Sequence, residues 1–177
     1  MLSSIEKHTV QAIKADAKII QVKPTKAEGI VSPKLSGAGL LDALGEITNA
    51  SIDNPYVLKL DAGIYDLGVQ TLRMKPFVDI EGSGQEYTSI TSKAPYQNFS
   101  GGTIEGADFA ELRHVTVINA NPSKTGSSSG ITNFGVSPKL TQVTCIANGP
   151  FINYSIVNKN SLPVLTGVTV KVSGFSN

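Results

Sequence analysis

A chain of 177 residues with 40% hydrophobic content can fill one continuous core and leaves little material for a second full domain. Lys and Arg total 15 against 14 Asp and Glu, so there is no net field to hold a nucleic-acid backbone or an anionic membrane surface, and nucleic acid is not an expected partner. Arg73 and Arg113 are the only arginines available for bidentate clamps, and the lone Cys145 cannot form an intrachain disulfide and reads as a small core residue.

No apolar run is long enough for a membrane span, and Met1 to Ile20 is broken by Glu6, Lys7, Lys14, Asp16 and Lys18, so no signal peptide is read. Either the protein assembles in the cytoplasm where it is made or an export signal has been removed. The first 35 residues are lysine-rich with weak periodicity and read as an N-terminal arm. Ser3 or Ser4 caps a short helix through Ala17 in one reading, while Thr9, Val10, Ile19, Ile20 and Val22 suit strand, and Pro24 ends either. The body is expected over 36–177. It opens with a capping helix over 36–51, where Leu40, Leu41, Leu44 and Ile47 have helical spacing.

Beyond Pro55 short β runs alternate with Gly, Asn and Pro, and an internal repeat emerges. Leu112-Arg113-His114-Val115-Thr116-Val117, Leu140-Thr141-Gln142-Val143-Thr144-Cys145 and Leu165-Thr166-Gly167-Val168-Thr169-Val170 align at steps of 28 and 25 residues. Thr103, Ile131 and Ile156 form a second register nine residues ahead of each leucine. Such a unit cannot bury its own apolar face, so the copies must stack in parallel around one core, with Val115, Val117, Val143, Cys145, Val168 and Val170 inward and the threonines outward. Asn133 and Asn158 are expected in left-handed turns, hydrogen-bonded along the stack, and Pro138 and Pro163 mark a repeated turn. The longer step is assigned to a protruding polar loop over Asn121 to Gly130. Earlier coils are read at Tyr56 to Leu60, Gly63 to Gly68 and Phe77 to Gly84. The fold class is therefore all-β: a right-handed, single-stranded parallel β-helix with an N-terminal capping helix and an extended arm.

The block Asn54-Pro55-Tyr56-Val57-Leu58-Lys59-Leu60-Asp61-Ala62-Gly63-Ile64-Tyr65-Asp66-Leu67, followed by Met74 to Gly84, resembles the opening coils of pectin-lyase-like β-helix proteins. The Ser-Pro-x-Leu-Thr-x-Val-Thr copies look like bacterial repeat proteins of that superfamily. The likeness covers about residues 36 to 174. It implies the fold, which hosts enzymes, adhesins and phage tailspikes alike. Pectinesterase-like chemistry implies paired aspartates, an arginine and a stacked tryptophan, and there is no Trp; polygalacturonase-like hydrolysis implies clustered aspartates, a Gly-His-Gly and an Arg-x-Lys, none of which is expected here.

After Glu111 no Asp or Glu follows. Asp61, Asp66, Asp79 and Glu81 read as solvated outer faces or turn caps, and Glu105, Asp108 and Glu111 as a surface cluster with Arg113 and His114. His114 is read in an outward slot, and His8 lies far away in the arm. Gly82-Ser83-Gly84 and Gly101-Gly102 are turns, without the lysine and helix of a phosphate loop. Tyr56, Tyr65, Tyr87, Tyr96, Tyr154, Phe99 and Phe134 serve core and turns, or stack on sugars where they face outward. No catalytic, cofactor-binding or metal-binding residue is assigned and no cofactor is expected.

The expected function is that of a non-enzymatic structural protein, a phage virion component such as a capsid decoration or cement protein or a tail fibre or spike. In that setting it assembles in the host cytoplasm as a homotrimer and attaches to a capsid or tail protein through the arm. The alternative is a secreted or cell-surface carbohydrate-binding protein facing surface glycans, with a polysaccharide lyase or hydrolase behind both.

Overall fold

A computed structural model describes residues 17–174, so the expected arm helix up to residue 16, with His8, Thr9 and Val10, falls outside the described residues. The chain winds as a right-handed parallel β-helix whose coils have three flanks. The first flank stacks β1 (Lys18–Val22), β4 (Tyr56–Leu60), β7 (Val78–Glu81), the first halves of β12 (Glu111–Asn119) and β14 (Lys139–Ala147), and β16 (Val164–Thr166). The second stacks β5 (Gly63–Asp66), β8 (Thr88–Ser92), the later halves of β12 and β14, and β17 (Thr169–Val172). The third stacks β6 (Leu72–Arg73), β11 (Ile104–Glu105), β13 (Ser128–Phe134) and β15 (Asn153–Lys159). Two antiparallel ribbons interrupt the parallel coil: β2 (Lys26–Ala27) with β3 (Ile30–Val31), and β9 (Tyr96–Gln97) with β10 (Ser100–Gly101).

Each flank supplies one inward column. Ile20, Leu58, Ile80, Leu112, Leu140 and Leu165 stand in register on the first, Tyr65, Ile90, Val117, Cys145 and Val170 on the second, and Leu72, Ile104, Ile131 and Ile156 on the third. A fully buried side chain of this kind contributes about 1.5–3 kcal/mol, so the columns supply the main cohesion between coils. The repeat Leu-x-x-Val-Thr-Val is not one straight strand. Leu112 and Val115 are three residues apart yet both buried, because the third position turns a corner in the left-handed region: His114 (φ 58°), Gln142 (φ 49°) and Gly167 (φ 61°) occupy it in successive coils. Val115, Val117, Val143 and Cys145 are buried as expected, and Val168 packs against the core. Val170 is 57% exposed and Leu165 47%, since among the described residues no further coil lies above them.

The helix α1 runs Pro33–Glu46, three residues earlier than expected and ending sooner, with Ser32 as its cap accepting from the Leu35 N–H and proline at its first position. Leu40, Leu44 and Ile47 lie buried beneath the stack. Gly37 lets the helix seat on β5, since a Cβ there would meet the Asp66 carbonyl oxygen. The break at residue 36 is no boundary in space. Ser36 is buried inside the helix, its Oγ accepting from the Thr25 N–H, and β1, assigned to the arm, is the first rung of the first flank.

Three further expectations change. Ile104, not Thr103, pairs with Ile131, because the turn from β11 to β12 is one residue shorter than its successors. Asn133 donates to Asn158 Oδ1 at 2.8 Å along the stack as expected, yet both residues lie in strands and neither has positive φ. The insertion loop folds down rather than protruding: Asn121 and Gly126 are buried, the Asn121 amide donates to the Ser127 carbonyl, and Ser123 Oγ accepts from the Gly126 N–H.

Candidate functional site

Alternation on the first flank turns Asp79, Glu81, Glu111, Arg113, Lys139 and Thr141 outward on neighbouring rungs. Arg113 donates to Glu81 Oε2 from Nη2 at 2.7 Å and Nε at 3.1 Å, to Glu111 Oε2 at 3.0 Å and to Asp79 Oδ2 at 3.3 Å. Asp79 Oδ1 accepts from the Glu111 N–H, while Glu111 Oε1 accepts from Thr141 Oγ1 and pairs with Lys139 at 3.2 Å. Asp79 is thus buried, against the expectation of a solvated face, and the acids around Arg113 are Asp79, Glu81 and Glu111 rather than Glu105 and Asp108. Asp79 with Glu111 and Glu81 with Arg113 are pairings of residues 32 positions apart, which strand periodicity alone does not bring together.

Burial alone would raise the Glu111 pKa, but hydrogen bonds from Thr141 and Lys139 and the charges of Arg113 and Lys139 outweigh it and hold the carboxyl below its usual range. Burial would lower the Arg113 pKa, and its hydrogen bond to Glu81 with the charges of Glu111, Glu81 and Asp79 raises it instead. The cluster balances Lys59, Arg113 and Lys139 against three carboxylates and ties four rungs together. A general acid or base needs a pKa near the working pH and an open approach to substrate. Glu111 is held below its usual range, and its side chain is 14% exposed.

The other expected site residues are dispersed. Glu105 accepts from Ser100 Oγ and the Gly101 N–H and pairs with Arg73, anchoring the β9–β10 ribbon, while Asp108 Oδ1 accepts from the Ser137 N–H. Asp61 accepts from Gln21, and Asp66 caps the turn at Gly68. His114 serves the corner, its carbonyl accepting from Gly84 N–H. The Arg-x-Lys expected to be missing does occur, as Arg73-Met74-Lys75, but its two charges are pulled apart: Arg73 pairs with Glu105, and Lys75 reaches the Gly45 and Ile47 carbonyls. Among the described residues no group of three or more His, Cys, Asp or Glu could hold a metal ion.

The aromatics divide. Tyr65 is buried, its hydroxyl donating to the Val22 and Asp61 carbonyls and its pKa pushed up to about 12 by burial and by the charge of Asp61. Tyr56 donates to Asn49, Tyr87 stands exposed, and Phe77 and Phe109 stack at 4.9 Å at a corner. Tyr96 meets Tyr154 edge-on. On the third flank Phe99 and Phe134 stack at 5.8 Å while 38% and 54% exposed, with Lys159 Nζ 3.6 Å from the Phe99 ring centre. They border a groove of about 190 Å³ with Glu105, Thr132 and Ser100. Phe99 holds φ 64° beside Asn98 at φ 51° in a two-residue turn where glycine is the usual occupant. That strain places an exposed aromatic ring over the flank.

Fold and sites together define a parallel β-helix protein with an ion-pair lattice on one flank and an aromatic groove on another. No family model, curated protein or solved structure matches the chain. No helix among the described residues is long and apolar enough to cross a membrane.

Proposed function

We propose that this chain is a non-enzymatic structural protein, kin to the pectin-lyase-like β-helix proteins, whose rigid body is carried on a larger assembly. A phage virion is the setting that fits best, with attachment to a capsid or tail protein through the N-terminal segment and self-association of the body. The observation that supports this reading is the commitment of the acids. Asp79, Glu81 and Glu111 are spent on Arg113, Lys139 and Thr141, and Glu105 holds a ribbon in place. What a hydrolase or lyase would keep for substrate, this chain uses to lock coils together. The test is turnover on uronate polymers, where none is expected; robust turnover abolished by Asp79→Ala, Glu81→Ala or Asp108→Ala overturns the reading.

The stacked, exposed Phe99 and Phe134 favour a second reading, a secreted or cell-surface protein that binds surface glycans, in which the groove takes the apolar face of a sugar ring. Glycan-array binding lost in Phe134→Ala at unchanged melting temperature would support it.

A further inference from the structure

The second flank is nearly free of charge. Its outward side chains form two columns: Ile64, Ser89, Thr116, Thr144 and Thr169, and beside them Asp66, Thr91, Ile118, Ile146 and Lys171, each residue in register with the next. Between them Tyr65, Ile90, Val117 and Cys145 are buried inward, which fixes the outward sense of both columns. Gln85 runs along the first column, accepting from Thr116 Oγ1 with its carbonyl and from Thr144 Oγ1 with Oε1. Among the described residues no such strap crosses the second column. It is acidic at one end, basic at the other, and holds two adjacent isoleucines that no burial in the core explains.

We propose that this flank is a self-complementary interface on which a second copy of the chain packs, related by a twofold axis that lies along the strands and reverses the order of the rungs. The symmetry follows from the column. Ile118 is its central member, so reversal sets Ile118 against Ile118 of the second copy and Ile146 against Thr91. Asp66 then faces Lys171 at both ends of the contact. Asp66 and Lys171 are four rungs apart, about 19 Å at the usual strand spacing. The residue pairing is isologous, each contact occurring twice. A threefold arrangement with parallel axes gathers three Lys171 side chains at one level and three Asp66 at another, and like charges disfavour it. Charge complementarity therefore selects the twofold dimer over the expected trimer.

The two columns offer ten residues a side, well below the roughly 20–30 of a stable interface, so the dimer is weak, with a dissociation constant on the order of tens of micromolar. The interface holds whether or not the body sits on a particle. Sedimentation equilibrium of the full chain over about 1 µM to 1 mM tests it, with the mass expected to rise from 18.6 kDa to twice that value and the association to weaken with salt. Ile118→Lys and Lys171→Glu should each weaken dimerisation at least about tenfold. Lys171→Glu should lose most of its effect in an Asp66→Asn background, which keeps the acceptor for the Gly68 N–H. Circular dichroism reports folding, and if Ile118→Lys does not fold, Lys171→Glu at its exposed edge decides. A monomer throughout the range, a trimer, or a dimer indifferent to Lys171→Glu overturns the proposal.

Discussion

Replacing Arg113 by methionine keeps the packing of its stem and removes the charge that three carboxylates share. Its side chain is 20% exposed, and those of Asp79, Glu81 and Glu111 are 7%, 23% and 14% exposed, so the charges left behind are poorly hydrated. Removing one partner of a buried ion pair costs about 3–5 kcal/mol, and partial solvent screening at this flank reduces that to about 2–4 kcal/mol at pH 7. For a chain of this size the melting temperature should fall by about 5–12 °C. In the native protein the stability that Glu111 contributes is complete above its ordinary value of 4.5 and is lost as the pH falls through its lower folded value. In Arg113→Met the Glu111 carboxyl loses one of the charges that hold it low, so the deficit of the variant narrows as the pH falls towards the ordinary value. Urea unfolding followed by far-ultraviolet circular dichroism at pH 7 and pH 4 measures both, and the deficit should be smaller at the lower pH. A deficit below about 0.5 kcal/mol at pH 7, or one equal at both pH values, refutes the lattice as a stabilising device.

Two other outcomes follow from the core. Leu140→Ala should cost about 3–5 kcal/mol because the side chain is fully buried, while Leu165→Ala, the same repeat position one coil later, should cost less than about 1 kcal/mol in the same urea titration. The Cys145 thiol is pushed up to about 12 by burial, which outweighs the lowering effect of hydrogen bonds from the Ser155 side chain and the Ile131 backbone, so alkylation at pH 8 should be negligible in native buffer and rapid in urea; fast native labelling would contradict its place in the column.

The stacked architecture was legible in the sequence because a parallel coil forces the same chemistry to recur at the same height. Leu112, Leu140 and Leu165 had to share a column, and so did Val117, Cys145 and Val170. Helical spacing of Leu40, Leu44 and Ile47 likewise announced the helix that covers the lower end. What the repeat could not announce depends on turn length and on the path between rungs. One residue fewer before β12 moved Ile104 into the place given to Thr103, and left-handed corners at His114 and Gln142 split a strand that reads as continuous. The pairing of Asp79 with Arg113 joins residues whose separation belongs to no repeat, and Phe99 meets Phe134 only because a ribbon folds across the third flank. Periodicity reports which residues stand one above another; which side chains meet across flanks and loops was decided only when the coils closed, since those distances depend on insertions that have no period.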